Sequence, residues 1–389
     1  MVNTYTPVYR IDRNGEDITG NFNDRCISLE VRLAAGYGEG DTLTITLDDR
    51  DWKISKPTNG ETLSIYLGYK ETGFSYIGTF EINSISYAWA PKTISIHGTS
   101  VSFMNAAKAP AVKAYDSKTL GEIVRDIAKS AGVEAAVSPE LDSVKIPFRN
   151  SFVSPLHLLQ ELERTFGAVA KFGEGKLSFT PRDTGDTASG QETPLVVLNP
   201  SDIASLELRE TSRGSHSKVK AAFFDKTENI KKYVESASPF SSDENSPIYT
   251  LGPVFNSQVE AQAAATSKMS DLLRGYVDGG IVLSRGDPFI RDQSRVYIQG
   301  ARDGINGSYI ADMVRHSFTT ANGLNTSMHI HSNGTGNDYG SIANADTATP
   351  STPLPGMPTT TPRTGSSTTT PDTGLNGITP GNNRGGAFS

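Results

Sequence analysis

The sequence has 389 residues and a single cysteine, Cys26, so it can form neither an intrachain disulfide nor a cysteine-based zinc site. It has no run of about 18 apolar residues, and no membrane-spanning helix is expected. The opening stretch MVNTYTPVYRIDRNGED lacks the apolar centre of a secretory signal, so assembly is expected to begin in a cytoplasm. A basic excess is missing as well. The net charge of -7 argues against non-specific nucleic-acid binding, although a mildly acidic protein can line a passage to which DNA does not stick. Arg209, Arg213, Lys218 and Lys220 are interleaved with Glu207 and Glu210, the pattern of a solvated face. There is no GxSxG elbow. GYGEGD at 36–41 carries the glycines of a nucleotide fingerprint, but it leads into the strand TLTITL. No helix N-terminus follows to receive a phosphate, and the stretch reads as a loop.

What is present is mainly β. Over residues 1–105, VYRI, ISLEVRL, TLTITL, LSIYLGY, YIGTFEINSISYAW and KTISIHG are short, rich in β-branched and aromatic residues, and separated by Gly, Pro, Asn and Asp. They predict a small barrel or sandwich. Residues 106–200 predict a small α+β domain. In DSKTLGEIVRDIAKSAG, Leu120, Ile123, Val124, Ile127 and Ala128 share one helical face, with Gly132 placed to end it. In SPLHLLQELERTFG, Ser154 suits the N-cap and Pro155 the first helical position, with Leu158, Leu159, Leu162 and Phe166 as the apolar stripe. AVAKFGEGKLSFTPR predicts a hairpin. Strands resume over 201–335, interrupted by an Ala-rich helix near 257–275. From 336 to 389 the chain is rich in Thr, Pro, Gly, Ser and Asn, too polar to offset its ordering entropy, and reads as a flexible or partner-ordered extension.

The two β regions echo each other. Gly78, Phe80, Ile82, Ile85 and Tyr87 have the spacing of Gly307, Tyr309, Ala311, Val314 and His316. Each block follows a strand ending in glycine (Gly68, Gly300) and precedes an alternating strand that runs through His97 or His331. The second hairpin carries the turn signal Asn322-Gly323. This pattern points to a duplicated barrel, and a trimer of such chains would present six similar modules around one axis.

The densest candidate site is TLTITLDDRDW. Asp48, Asp49 and Asp51 could hold calcium, but the full loop spacing is absent and Arg50 sits among them. The reading taken is a strand-end turn with local ion pairing, loosened by loss of Arg50 and anchored on the core by Trp52. The alternating threonines give one apolar face and one small polar face, which meets water, a channel or a neighbouring subunit. His316, His329 and His331 could form a metal site, but a barrel-surface or interface role is preferred. Neither a cofactor nor a metal is expected.

In order along residues 5–332, GYGEGDTLTITLDDRDWKISKPTNGETLSIYLGY, YIGTFEINSIS, SKTLGEIVRDIAKSAGV and GSYIADMVRHSF resemble the phage late control protein D family, the baseplate hub proteins of contractile-tailed phages. The resemblance implies two tube-protein-like β-barrels per chain, with the small α+β domain inserted between them. It also implies a trimeric hub whose pseudo-sixfold ring joins the hexameric tail tube protein to the trimeric central spike protein. Other baseplate proteins would be neighbours, genome DNA would pass through without sequence-specific binding, and the location would be the virion tail. No catalysis is implied. Asp48, Asp49, Arg50, Asp51, Trp52, Gly78, Phe80, Gly307, Tyr309 and His316 are the interface or structural candidates. Two other readings are a contractile injection hub delivering effectors, and a tail protein that binds or hydrolyses cell wall, for which the middle domain shows no clear acid/base pair.

Overall fold

A computed structural model of the chain describes residues 5–35, 40–100, 109–173, 175–211, 216–239 and 246–332. The 336–389 extension and most of the GYGEGD loop lie outside them. The first module is β1 (Pro7–Arg13), β2 (Glu16–Asp17), β3 (Cys26–Ala34), β4 (Thr42–Asp48), β5 (Thr62–Tyr69), β6 (Gly73–Ala88) and β7 (Thr93–Ser100). The middle region follows with β8 (Lys113–Thr119), α1 (Leu120–Ser130), β9 (Glu134–Val137), α2 (Pro139–Asp142), β10 (Lys145–Ser151), α3 (Pro155–Phe166), β11 (Ala168–Gly173) and β12 (Lys176–Pro181). Then come β13 (Val196–Leu198), β14 (Ile203–Glu210), β15 (Lys218–Asp225), β16 (Ile230–Ala237), β17 (Ile248–Phe255) and α4 (Gln258–Arg274). The chain continues through β18 (Val277–Leu283), β19 (Arg295–Ile298), β20 (Gly307–Thr319) and β21 (Gly323–Ser332).

The fold is mainly β, as the sequence predicts, but the two β modules share one sheet. Thirteen strands join, in the order β14-β18-β21-β20-β3-β4-β7-β6-β5-β1-β2, with β19 also on β20 and β13 on β19. The link is β20 against β3, antiparallel, from Met313 opposite Ala34 to Thr319 opposite Ser28. One core spans both halves: Leu29, Val31, Ile45 and Ile96 of the first module belong to the same buried cluster as Val314, Phe318, Met328 and Ile330 of the second.

The span 201–335 is divided differently from the expectation. Its segment from 218 to 274 leaves the shared sheet. There β15, flanked by β16 and β17, forms a three-stranded sheet under α4 with its own core of Val219, Ala221, Phe223, Ala261, Ala265 and Met269. The physical reason is the burial pattern. The face that α4 buries carries the small residues Ala261, Ala264, Ala265 and Ser267, which let it lie close on a short sheet, and the apolar side of β15 is used up against it.

The middle region matches the local signals closely. Thr119 and Glu122 form a reciprocal cap at the start of α1, and Leu120, Ile123, Val124, Ile127 and Ala128 are buried. The Ser154 hydroxyl accepts from the His157 amide at the start of α3, and α3 ends at Gly167, whose φ of +59° favours glycine. α3 and α4 meet where the Ser267 hydroxyl donates to the Arg164 carbonyl at 2.8 Å.

The middle region is fastened to the shared sheet by charge. Lys171 on β11 lies 2.9 Å from Asp41, just before β4, and 2.7 Å from Asp292, just before β19. One ammonium thus ties the middle region to both modules. Burial would push Lys171 down, but the two carboxylates hold it above the usual lysine range, and it stays charged. Lys171→Met would leave two carboxylates facing each other in a largely enclosed site. It is expected to cost roughly 2–4 kcal/mol, read as a lower urea midpoint, because breaking an enclosed pair strands the remaining charge. An unchanged midpoint would remove this fastening role.

Candidate functional site

Period-two alternation sends opposite chemistry to the two faces of the shared sheet. In β4, Leu43, Ile45 and Leu47 are buried, while Thr42, Thr44 and Thr46 lie on the other face and remain partly open. The register continues that face across both modules. One row of directly opposed residues runs Ser84, His97, Thr44, Glu30 and Ser317, from β6 to β20. The next runs Thr99, Thr42, Arg32, Arg315, Ser327, Val282 and Ser205, from β7 to β14.

Short polar contacts hold these rows. Thr46 and Ser95 hydroxyls are 3.2 Å apart, and His97 stands between Thr44 at 3.4 Å and Ser86 at 3.3 Å. Acids and bases are mixed: Arg315 reaches Glu30 at 3.4 Å and Arg209 reaches Asp278 at 3.3 Å. His329 Nδ1 is 3.0 Å from an Asp312 carboxylate oxygen, a bond that holds the imidazole above its ordinary range. An open depression of about 460 Å³ lies on this face, with Glu207, Arg209, Asp278, Arg315 and His329 among its lining. Among the described residues this face mixes acidic with basic side chains and small hydroxyls.

The two modules are built alike. The order β3-β4-β7-β6-β5 in the first reappears as β14-β18-β21-β20-β19 in the second. The irregularities also coincide. The β6/β7 ladder shifts between Ile82 and Ser84, and the β20/β21 ladder between Ala311 and Met313, the same point once Gly78 is matched to Gly307. The β3/β4 ladder shifts between Cys26 and Ser28, and β14/β18 between Ile203 and Ser205. In this register His97 corresponds to His329.

Of the ten residues singled out from the sequence, the first five sit at the end of β4. Arg50 pairs with Asp48 at 3.1 Å but is largely exposed. The bidentate pair of the turn is Arg25 with Asp51, at 2.7 and 2.8 Å, and it holds the Asp51 carboxyl well below the usual range. Asp49 is buried, and its side chain accepts from the Ile54 amide at 3.3 Å. Trp52 is not anchored on the core. It is half-exposed, its ring centroid 5.2 Å from that of Trp89, with Lys92 over it at 4.9 Å. Its backbone is left-handed, with φ of +58°, in the turn that follows β4.

Phe80 and Tyr309 occupy matched buried positions, and the Tyr309 hydroxyl donates to the Ile305 carbonyl at 2.8 Å. Gly78 lies against the Phe80 ring, while Gly307 has φ of +150°. His316 is not at the surface. It is fully buried, with Nε2 donating to the Ile290 carbonyl at 3.0 Å and Nδ1 2.9 Å from the Thr326 hydroxyl. Burial, aided by the Arg291 charge, pushes its pKa down to about 3. The three histidines are not brought together. His316 faces the core, His329 the polar face, and His331 is buried 3.6 Å from Asp183. Among the described residues no group of three or more His, Cys, Asp or Glu side chains could hold a metal. Sequence reasoning missed Arg25, 26 residues from its partner. Arg25 precedes β3 and Asp51 follows β4, and a separation of 26 residues in sequence carries no local signal for that pairing.

No family model matches the chain. It is 27% identical over 365 residues to the probable baseplate hub protein of Escherichia phage P2, covering 84% of this chain and 93% of that one. It is 25% identical over 361 residues to the probable baseplate hub protein of Escherichia phage 186, covering 83% and 92%. Among solved structures, the tail protein from Neisseria meningitidis MC58 superposes with a TM-score of 0.61 at 11% identity, covering 85% of this chain and 98% of that one. The resemblance to phage hub proteins read from the sequence agrees with these relatives.

Two expectations follow from this geometry. Arg25→Ala should lower the melting temperature more than Arg50→Ala, because it breaks the bidentate pair; the reverse order would return the turn to Arg50. His316 stays neutral when folded but takes a proton near its ordinary value when unfolded. Stability is therefore lost as pH falls from about 6.5 towards 3, by up to about 1.4 kcal/mol per pH unit from this group. His316→Gln keeps a donor for Ile290 and removes the titration, so urea midpoints measured from pH 7 to 4 should fall less steeply. Equal slopes would exclude His316 as the source.

Proposed function

We propose that this chain is the hub of a contractile phage tail baseplate. The observation that carries the reading is the duplication. Two modules of the same strand order, with ladder irregularities at the same points, share one sheet with one continuous polar face. The names of the P2 and 186 relatives support the hub role.

In the finer form of this reading, three chains place six modules in a pseudo-sixfold ring. One side of the ring meets the hexameric tail tube and the other the trimeric central spike, with other baseplate proteins around it. The polar face lines the passage. Its mixed charges and small hydroxyls let genome DNA slide by without a counterion-releasing grip. No reaction is assigned to the chain; Asp48, Asp49, Arg50, Asp51 and Trp52 shape a strand-end turn at the rim of the first module.

Light scattering on the protein alone and after mixing with the spike protein encoded nearby tests this. A mass of three chains, alone or with the spike, is expected. A monomer that ignores the spike would overturn the ring.

A further inference from the structure

The duplication repeats surface chemistry as well as strand order. Ser28, Leu29, Glu30, Val31 and Arg32 on β3 return as Ser205, Leu206, Glu207, Leu208 and Arg209 on β14. The register puts the repeat at equivalent points of the two modules. Glu30 lies opposite Thr44, which lies opposite His97. Glu207 lies opposite Gly280, which lies opposite His329. Arg32 lies opposite Thr42, and Arg209 opposite the equivalent Asp278. Each module therefore carries one Glu, one Arg and one His in matching places on the polar face.

Half of this repeat has a packing reason. Leu29 and Val31 are buried in the shared core, and Leu206 and Leu208 pack against it. Ser, Glu and Arg point to the other face, where packing does not dictate the residue type. Their local partners do not account for them either, because these differ between the modules. Glu30 reaches Arg315 at 3.4 Å, and Arg32 Nε lies 2.8 Å from the Met313 sulfur, whereas Arg209 reaches Asp278 at 3.3 Å. What the modules share is one acid and one base, two residues apart on the polar side of a strand. In the second module this set is open to a ligand. Glu207, Arg209 and His329 line the depression, the Arg209 side chain is 75% exposed, and no atom stands where a side chain at Gly280 would begin.

A ligand that matches one polar set repeated around an axis must itself present one group again and again. A phosphodiester backbone does so at every nucleotide, a polypeptide does not, and the planar fork of arginine fits a phosphate. We propose that Arg32 and Arg209 are the phosphate contacts of the passage, and that Glu30 and Glu207 stand beside them to cancel their grip. With one carboxylate for each guanidinium, the wall touches DNA without a net release of counterions, so the duplex is guided and not held. The ring and the DNA rest on the hub reading; the repeat rests on sequence and register alone.

The test uses the full chain carrying Glu30→Gln and Glu207→Gln, and a fluorescent DNA duplex followed by anisotropy. In about 50 mM salt the variant is expected to bind at least about tenfold more tightly than the wild type, with an affinity that falls steeply as salt rises. Adding Arg32→Gln and Arg209→Gln should abolish the gain, with circular dichroism unchanged throughout. Light scattering on each protein reports the number of chains. A three-chain variant that binds no better than the wild type, or a gain that survives the loss of both arginines, would overturn this assignment and leave the hub reading standing. A single-chain mass for the wild type, even with the spike protein present, would overturn the ring and the phosphate contacts with it.

Discussion

The pairing of β3 with β20 is the constraint on which the rest of the structure depends. It joins strands about 280 residues apart, and it lets two halves that are each too small for a deep core share one. The register admits no slip. A shift of one residue would turn Val314, His316 and Phe318 out to the polar face and bring Arg315 into contact with Leu29, Val31 and Leu33. The buried His316 belongs to this constraint. Its two polar atoms are satisfied by Thr326 and the Ile290 carbonyl, so it can sit in the apolar layer only as the neutral ring.

The ladder irregularities explain how one strand serves two partners. A bulge adds one residue to a strand, bends it and increases its local twist. At Asp312 this bend comes where β20 leaves β19 and begins to pair with β3, and the Asp312 carbonyl accepts from the Ala35 amide at 2.9 Å. At Asn83 the same bend comes where β6 leaves β5. The irregularity is therefore a working part of both modules, placed where pairing on that edge changes.

Much of this was legible in the sequence, and the limits have physical causes. Alternation gave both faces of β4, and Ser154 gave the start of α3, because those signals are local. The echo from Gly78 to Gly307 exposed the duplication, because repeated packing needs repeated residue types. The shared sheet was not legible: a strand's alternation shows which side it buries, and says nothing about which strand lies at its edge. The separate sheet of 218–274 was hidden for the same reason, since SKVKAAFF reads as a strand in either place. Arg25 escaped because its pairing with Asp51 exists only once β3 and β4 lie side by side.

The placement of the middle region completes the argument. An insertion between two modules of one sheet threatens that sheet if it can lean over either face. Here its nearest strand, β11, is fastened by Lys171 to Asp41 and Asp292, residues that lead into the sheet from the two different modules. A charge largely enclosed between two carboxylates is weak as a source of stability but strict about geometry, because each carboxylate loses its partner if the ammonium moves. The same contact that positions the insertion also fixes the distance between the two modules. On the polar face the described strands present small hydroxyls and mixed charges.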